Sequence, residues 1–156
     1  MTATFDMARL RTVFGDEVVH AADGRTTTLT HGFGAESFLK GHFPGFPVVP
    51  GVILLDGMIL AMLHAFTHRT GRSGAEIRSV AVESAAFHRP ILPGMNVAFV
   101  SRLDPVGDRI SGKASVMVGD VRHARASLFL LNHDDAAPRR ADTWRDHHDH
   151  DRHDHA

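Results

Sequence analysis

The chain has 156 residues, of which 43% are hydrophobic and 22% are charged. This length suits a single domain with a substantial core. The formal net charge of −1 gives no sign that a nucleic acid or a membrane surface is a partner. The absence of cysteine excludes disulfides, iron–sulfur clusters, Cys-ligated zinc and a thiolate nucleophile. The first 25 residues lack a charged start followed by an apolar run, so we expect a cytoplasmic protein.

Residues 132–156 differ in composition from the rest of the chain. Six His, seven Asp and four Arg fill 17 of these 25 positions, and only four alanines and Trp144 are apolar. Because such a segment cannot bury enough apolar surface to fold, we expect a folded domain over residues 1–131 and a disordered tail over 132–156. The alternating Asp and His of the tail are competent metal ligands, but they show no fixed spacing. We interpret any metal binding there as weak and adventitious.

The predicted elements begin with a short helix over Phe5–Phe14. Two strands follow, over Glu17–Ala22 and Arg25–Thr30, and the Asp23-Gly24 pair between them is typical of a hairpin turn. The segment Gly32–Gly51 is dense in glycine and proline, so we expect a structured loop without a regular element.

The segment Val52–Phe66 is apolar on every side except for one acid, which predicts a buried helix. At fifteen residues it is shorter than the roughly 20 that a bilayer span requires. Four strands are predicted after the helix, with Gly-Asp turns at 107–108 and 119–120: Glu76–Phe87, Asn96–Leu103, Arg109–Val118 and Val121–Leu131. This order indicates an α+β domain in which an antiparallel sheet wraps around one helix.

Three residues in or beside the predicted helix suggest chemistry. Asp56 is a carboxylate in apolar surroundings, and His42 lies fourteen residues upstream in a loop that prolines stiffen. Gly51 stands at the helix start, where backbone N–H groups are free to bind developing negative charge. A base, an acid and a donor suit proton abstraction next to a carbonyl, although an ordinary loop histidine and an Arg-paired or capping aspartate fit the same residues. We interpret three other histidines as structural, since nothing nearby in the sequence gives them a partner: His64, His68 and His88.

Two segments of the chain resemble a known family of enzymes. Gly41–Asp56 has the sequence GHFPGFPVVPGVILLD, and it resembles the signature of (3R)-3-hydroxyacyl-[acyl-carrier-protein] dehydratases of the FabZ/FabA type. Phe87–Gly94, FHRPILPG, is similar to the family's Phe-x-Arg-Pro-Val-x-Pro-Gly segment. The two segments have the family's order and separation, and the resemblance covers about Glu17 to Leu131. It implies the hotdog fold, a curled antiparallel β-sheet wrapped around one long buried central helix.

The resemblance also implies roles for particular residues. His42 matches the family's catalytic histidine, Asp56 its catalytic carboxylate, and Gly51 the glycine whose N–H meets the thioester carbonyl. Phe43 and Val52 are then expected to bind substrate, with no cofactor and no metal. The implied partner is an acyl-carrier-protein or coenzyme A thioester. The implied assembly is a homodimer or a dimer-based higher oligomer, in which the His of one chain meets the acid of the other.

The chain departs from the family's pattern at a few positions. Phe46 replaces a frequent His, and Asp56 stands where the FabZ type has Glu, although the FabA branch uses Asp. Leu60 replaces the usual Gln and Met95 the usual Asp. Two alternatives stay open: a hotdog thioesterase, in which a carboxylate activates water, and a non-catalytic acyl-thioester-binding hotdog protein. The His-then-acid spacing argues against the first, and the presence of both groups argues against the second.

Overall fold

The computed structural model describes Phe14 and residues 17–34, 37–40, 44–106 and 109–132. The predicted N-terminal helix therefore lies outside the described residues, apart from Phe14. The predicted tail does too, apart from Asn132, so the division at residue 131 stays a prediction.

Six strands form one antiparallel sheet, in the order β1-β2-β4-β5-β6-β3. The order places β1 and β3 at the two edges. Each strand matches a predicted one within a few residues, which confirms the predicted sheet. The bounds are Glu17–His20 for β1, Thr26–Gly32 for β2, Ile77–Phe87 for β3, Asn96–Val106 for β4, Arg109–Val118 for β5 and Val121–Asn132 for β6.

The hairpin between β1 and β2 shows why Asp23-Gly24 is a good turn signal. Gly24 has a φ of 64°, a conformation that costs a residue without Cβ very little. The Asp23 carboxylate accepts hydrogen bonds from the backbone N–H groups of Arg25 and Thr26, both at 2.8 Å. These bonds to the ionised form lower the pKa of Asp23 to about 2. Gly119, with a φ of 56°, lies in the corresponding turn between β5 and β6.

The long helix α1 extends over Gly51–Thr70 and is therefore longer than predicted. Its 20 residues are long and apolar enough to cross a bilayer, so the exclusion of a membrane span on length was wrong. Burial provides the better reason, because the middle of the helix lies against the sheet and supplies much of the core. The buried residues of α1 are Leu54, Gly57, Met58, Ile59, Leu60, Ala61, Met62, Leu63, Ala65 and Phe66.

The helix approaches the sheet closely at Gly57. A Cβ at this position would lie 2.4 Å from the ring of Phe99 on β4, which is closer than any real side-chain contact. Strand β4 alternates in burial, so that Val97, Phe99 and Ser101 face the helix while the residues between them are less buried. The face of β4 that carries Phe99 and the missing side chain at Gly57 together fix how α1 sits on the sheet.

The segment between β2 and α1 contains one regular element that the sequence did not predict. A 3₁₀ helix spans Ser37–Lys40, between Gly34 and Gly41. The expectation of a wholly irregular loop was wrong here, because one 3₁₀ turn needs only a few residues free of glycine and proline. Residues 44–50 then lead, without a regular element, into the first turn of α1.

Candidate active site

The predicted anion-binding position is the first residue of α1. Pro50 precedes the helix, and its carbonyl accepts hydrogen bonds from the N–H groups of Ile53 at 3.0 Å and Leu54 at 3.2 Å. The N–H groups of the first helical residues point towards the N-terminal end of the helix. They have no acceptor within the helix. Gly51 therefore presents its backbone at the positive end of the helix dipole.

The two segments that carry the resemblance are hydrogen-bonded to each other. The N–H of Val49, two residues before α1, donates to the carbonyl of Ile91 at 2.8 Å. Both side chains are buried, at 5% and 0% exposure. The bond joins the segment before the helix to the segment that follows β3. Sequence analysis identified each segment separately, and the structure brings them together at the start of α1.

A cavity of about 250 Å³ lies where the two segments meet. Its wall is apolar apart from the exposed side chains of His88 and Arg89 and the backbone of Gly51. An apolar recess with few polar groups is typical of a small-molecule site. The lining residues are Val48, Val49, Gly51 and Leu54 from the first segment and Phe87, His88, Arg89, Pro90 and Ile91 from the second.

The ring of Phe87 packs on the start of the helix. A Cβ added to Gly51 would lie 3.3 Å from Cε1 and from Cζ of this ring, tighter than most real contacts. The absence of a side chain at Gly51 thus lets an aromatic ring cover the helix start.

Asp56 lies five residues after Gly51, on the same helix. It is half-buried, and burial raises the pKa of its carboxyl above the ordinary value. The shift makes the neutral form more available than in an ordinary aspartate, which suits an acid that donates a proton. Leu60, one turn further on, is fully buried in the core and adds to the apolar surroundings. The side chain of Asp56 does not line the cavity.

The other predicted site residues are distributed differently. His42 and Phe43 lie outside the described residues, so their predicted roles stay predictions. Val52 is 67% exposed and is not part of the cavity wall. The structure thus brings Gly51 together with the second segment, and it places Val52 and Asp56 on other sides of the first turns of α1.

His68, interpreted from the sequence as having no partner, has one in the structure. The rings of His68, in the last turn of α1, and His20, on β1, stack with centroids 3.9 Å apart and planes within 4°. The Nδ1 of His20 also lies 2.8 Å from the hydroxyl of Thr27. Burial, and then the neighbouring His68, lower the pKa of His20. The pair links β1 to the helix end farthest from Gly51, so His68 is structural as predicted, although not for lack of a partner.

His123 is a residue of the site region that sequence analysis missed. It lies on β6, and its carbonyl accepts hydrogen bonds from the N–H groups of His88 at 2.8 Å and Arg89 at 3.2 Å. Its ring Nδ1 lies 3.2 Å from the carbonyl of Pro90. No motif includes His123, and only the three-dimensional structure shows that β6 passes beneath the cavity wall.

Comparison with known proteins finds similarity to dehydratases. The model of the ApeI-like family, described as ApeI dehydratase, matches residues 24–116. The FabZ 3-hydroxyacyl-[acyl-carrier-protein] dehydratase of Acidiphilium cryptum is 43% identical over 61 residues, 38% of this chain and 37% of that enzyme. The FabZ enzyme of Symbiobacterium thermophilum is 33% identical over 107 residues, 66% of this chain and 73% of that enzyme.

A solved structure shares the fold. The dehydratase heterocomplex ApeI:P of Xenorhabdus doucetiae includes a chain that superposes with a TM-score of 0.53 and 17% identity, covering 74% of this chain and 97% of that one. This likeness confirms the predicted hotdog fold. Since the match covers only 37% of the Acidiphilium cryptum enzyme, the comparisons identify a family without settling a substrate. The family model covers more than half of the chain, and the chain belongs to the ApeI-like dehydratase family of hotdog proteins.

Proposed function

We propose that the protein removes water from a 3-hydroxyacyl thioester to give the trans-2-enoyl thioester. The observation that carries the proposal is the apolar cavity at the start of α1, with Gly51 in its wall and an acid of raised pKa five residues further along the helix. Family membership supports the same reaction class. The substrate is attached to acyl carrier protein or coenzyme A, and fatty acid or related lipid biosynthesis in the cytoplasm is the proposed setting.

The proposed mechanism assigns one step to each group. His42 takes the proton from the carbon next to the thioester carbonyl, since a histidine titrates near neutral pH. The N–H of Gly51 binds the carbonyl oxygen as negative charge develops on it. The enolate then expels the 3-hydroxyl as the double bond forms, and Asp56 gives that oxygen a proton so that water leaves. A proton passed from His42 back to Asp56 restores both groups.

The raised pKa of Asp56 matters because hydroxide is a poor leaving group. An acid with an ordinary pKa is almost fully ionised at neutral pH and cannot protonate the departing oxygen. Burial among apolar residues keeps more of Asp56 in the neutral form, which supports its assignment as the acid.

The experiment that tests the function is turnover of 3-hydroxyacyl thioesters of graded chain length, with products identified by mass. We expect loss of water with the thioester intact. Release of the free acid would instead favour the thioesterase alternative. Binding without any product would favour the non-catalytic alternative.

We predict that the smallest active unit is a homodimer. Val52 on the first turn of α1, Phe87 at the end of β3 and Val82 in the middle of β3 are exposed by 67%, 48% and 43%. β3 is also an edge strand, and an exposed apolar edge is normally covered. A dimer would bring a partner's loop to the half-buried Asp56. Sedimentation at micromolar concentration should show a dimer, whereas a fully active monomer would contradict the prediction.

We expect Gly51→Ala to lower kcat/KM about tenfold or more, with little change in Tm. The new methyl group meets the Phe87 ring at 3.3 Å and displaces it from the helix start. Alanine's better helix propensity, worth up to about 1 kcal/mol, offsets the tight contact in the free energy of unfolding. The matched test is the same change in a Phe87→Leu background, where the ring is gone. If Gly51→Ala costs as much activity there as in the wild type, the ring contact is not the cause.

A further inference from the structure

Strand β6 contains an irregularity directly beneath the cavity wall. Along the pairing of β5 with β6, Val116 pairs with Ala124 and Met117 pairs with Arg122, which leaves His123 as the extra residue of a β-bulge. The bulge interrupts the alternation of β6, so that His123 and Ala124 are both buried, at 8% and 0% exposure. A bulge re-aims a side chain, and bulges are common next to active sites.

Both the backbone and the ring of His123 hold the segment that follows β3. The last residue of β3, Phe87, pairs with Ala124, and the chain then leaves the sheet. The carbonyl of His123 accepts from the N–H groups of His88 and Arg89 at this point, and the ring Nδ1 reaches the carbonyl of Pro90 at 3.2 Å. A carbonyl can only accept, so the contact with Pro90 requires a proton on Nδ1.

The hydrogen bonds continue from this segment to the start of α1. The carbonyl of Ile91, the next residue after Pro90, accepts the 2.8 Å hydrogen bond from the N–H of Val49. Gly51 lies two residues after Val49 in the chain. The ring of Phe87, at the other end of the segment, packs on Gly51. His123 therefore supports the stretch that fixes both sides of Gly51: the aromatic ring that covers it and the backbone of Val49 that precedes it.

We propose that His123 is a positioning residue for the dehydration, which holds the cavity wall so that the Gly51 N–H and the Phe87 ring keep their places at the helix start. The proposal rests on the proposed function. It assigns His123 no contact with the substrate and no proton transfer. Its effect arises because a displacement of about 1 Å at a reacting group can cost about 10²-fold in rate.

The ring bond is tested by His123→Leu and His123→Asn. Both variants keep the backbone carbonyl that His88 and Arg89 use, and only Asn keeps a side-chain N–H close to the position of Nδ1. We expect His123→Leu to lower kcat about tenfold to hundredfold with KM changed less than about threefold, because the thioester still binds but the carbonyl is misaligned. His123→Asn should recover kcat to within about threefold of the wild type.

The matched control is His31→Leu. His31 is buried to the same 8% exposure, on β2, and its ring packs against Phe14 and Phe33 rather than the cavity wall. This variant should lose stability without the fall in kcat. Equal falls in kcat for His31→Leu and His123→Leu at matched stability would overturn the proposal, as would a failure of His123→Asn to exceed His123→Leu.

A measurement on the unmodified protein keeps the proposal testable if a variant does not fold, or if no thioester is turned over. Nitrogen-15 NMR of the His123 ring in the wild type should show the proton on Nδ1. Where both variants fold, the amide signals of Val49 and Gly51 should also shift in His123→Leu and return in His123→Asn. A ring protonated only on Nε2 would overturn the proposal even in an active enzyme. The expected signals in a protein without turnover would uphold the positioning and reject the proposed function.

Discussion

Replacing His42 with alanine is expected to reduce dehydration to the background rate. His42 matches the family's catalytic histidine, and the mechanism assigns to it the removal of the proton next to the thioester carbonyl. Removing a general base typically costs 10²–10⁴-fold, and the loss is larger when no neighbouring group substitutes for it. The measurement is kcat/KM for the best 3-hydroxyacyl thioester, with the fold checked by circular dichroism.

The matched control for His42→Ala is His68→Ala. His68 is exposed in the last turn of α1, about 25 Å from Gly51 at 1.5 Å per residue. The substitution removes the imidazole ring that stacks on His20, so a small change in Tm is expected. We expect kcat/KM to stay near the wild-type value. Comparable activity of the two variants would reject His42 as the base.

The sheet could be predicted from the sequence because its signals are local. Strand-like runs of residues and the turn glycines Gly24 and Gly119 appear in short windows of sequence, and the structure confirms the strands and these two turns. The end of α1 could not be predicted as well. Apolar residues stop at Phe66, but the helix continues through an exposed polar turn until Gly71, with a φ of 67°, ends it.

The site, like the fold, has one part that could be predicted from local sequence and one part that could not. The glycine at the helix start and the acid in the apolar helix are visible in one stretch of sequence, as is the Phe87–Gly94 segment. The bond from Val49 to Ile91 and the ring of Phe87 on Gly51 depend on how distant strands pack, and nothing in a single sequence specifies them. His123 was missed for a related reason. A bulge interrupts the strand there, so the position of His123 along β6 does not show which face of the sheet its side chain lies on.

Asp56→Asn is expected to lower kcat about 10²–10⁴-fold while it raises the stability of the fold. The amide is close in shape to the carboxyl but cannot give a proton to the departing hydroxyl. Burial raises the pKa of Asp56, so the folded protein holds the proton more tightly than the unfolded chain does. The ionised carboxylate is therefore costly to the fold at neutral pH, and the amide removes this cost.

The sign of the pH dependence follows from that shift. Below the ordinary pKa of about 3.9, Asp56 is protonated in both the folded and the unfolded state. Its ionisation then makes no contribution to the free energy of unfolding. As pH rises from there to the raised folded pKa, the folded wild type binds more protons than the unfolded chain, and the wild type loses stability relative to Asp56→Asn. Above the folded pKa the difference is constant. Denaturant unfolding of both proteins from pH 3 to pH 8 measures it.

The matched control is Asp56→Glu, which keeps a titratable carboxyl at the position where FabZ-type chains have glutamate. This variant should retain measurable turnover that Asp56→Asn lacks, since only the carboxyl can supply the proton to the leaving oxygen. A stable Asp56→Asn enzyme with near-normal turnover would reduce Asp56 to a structural group. The cavity beside Gly51 would then support the binding of an acyl thioester, and the non-catalytic alternative would become the better account of the site.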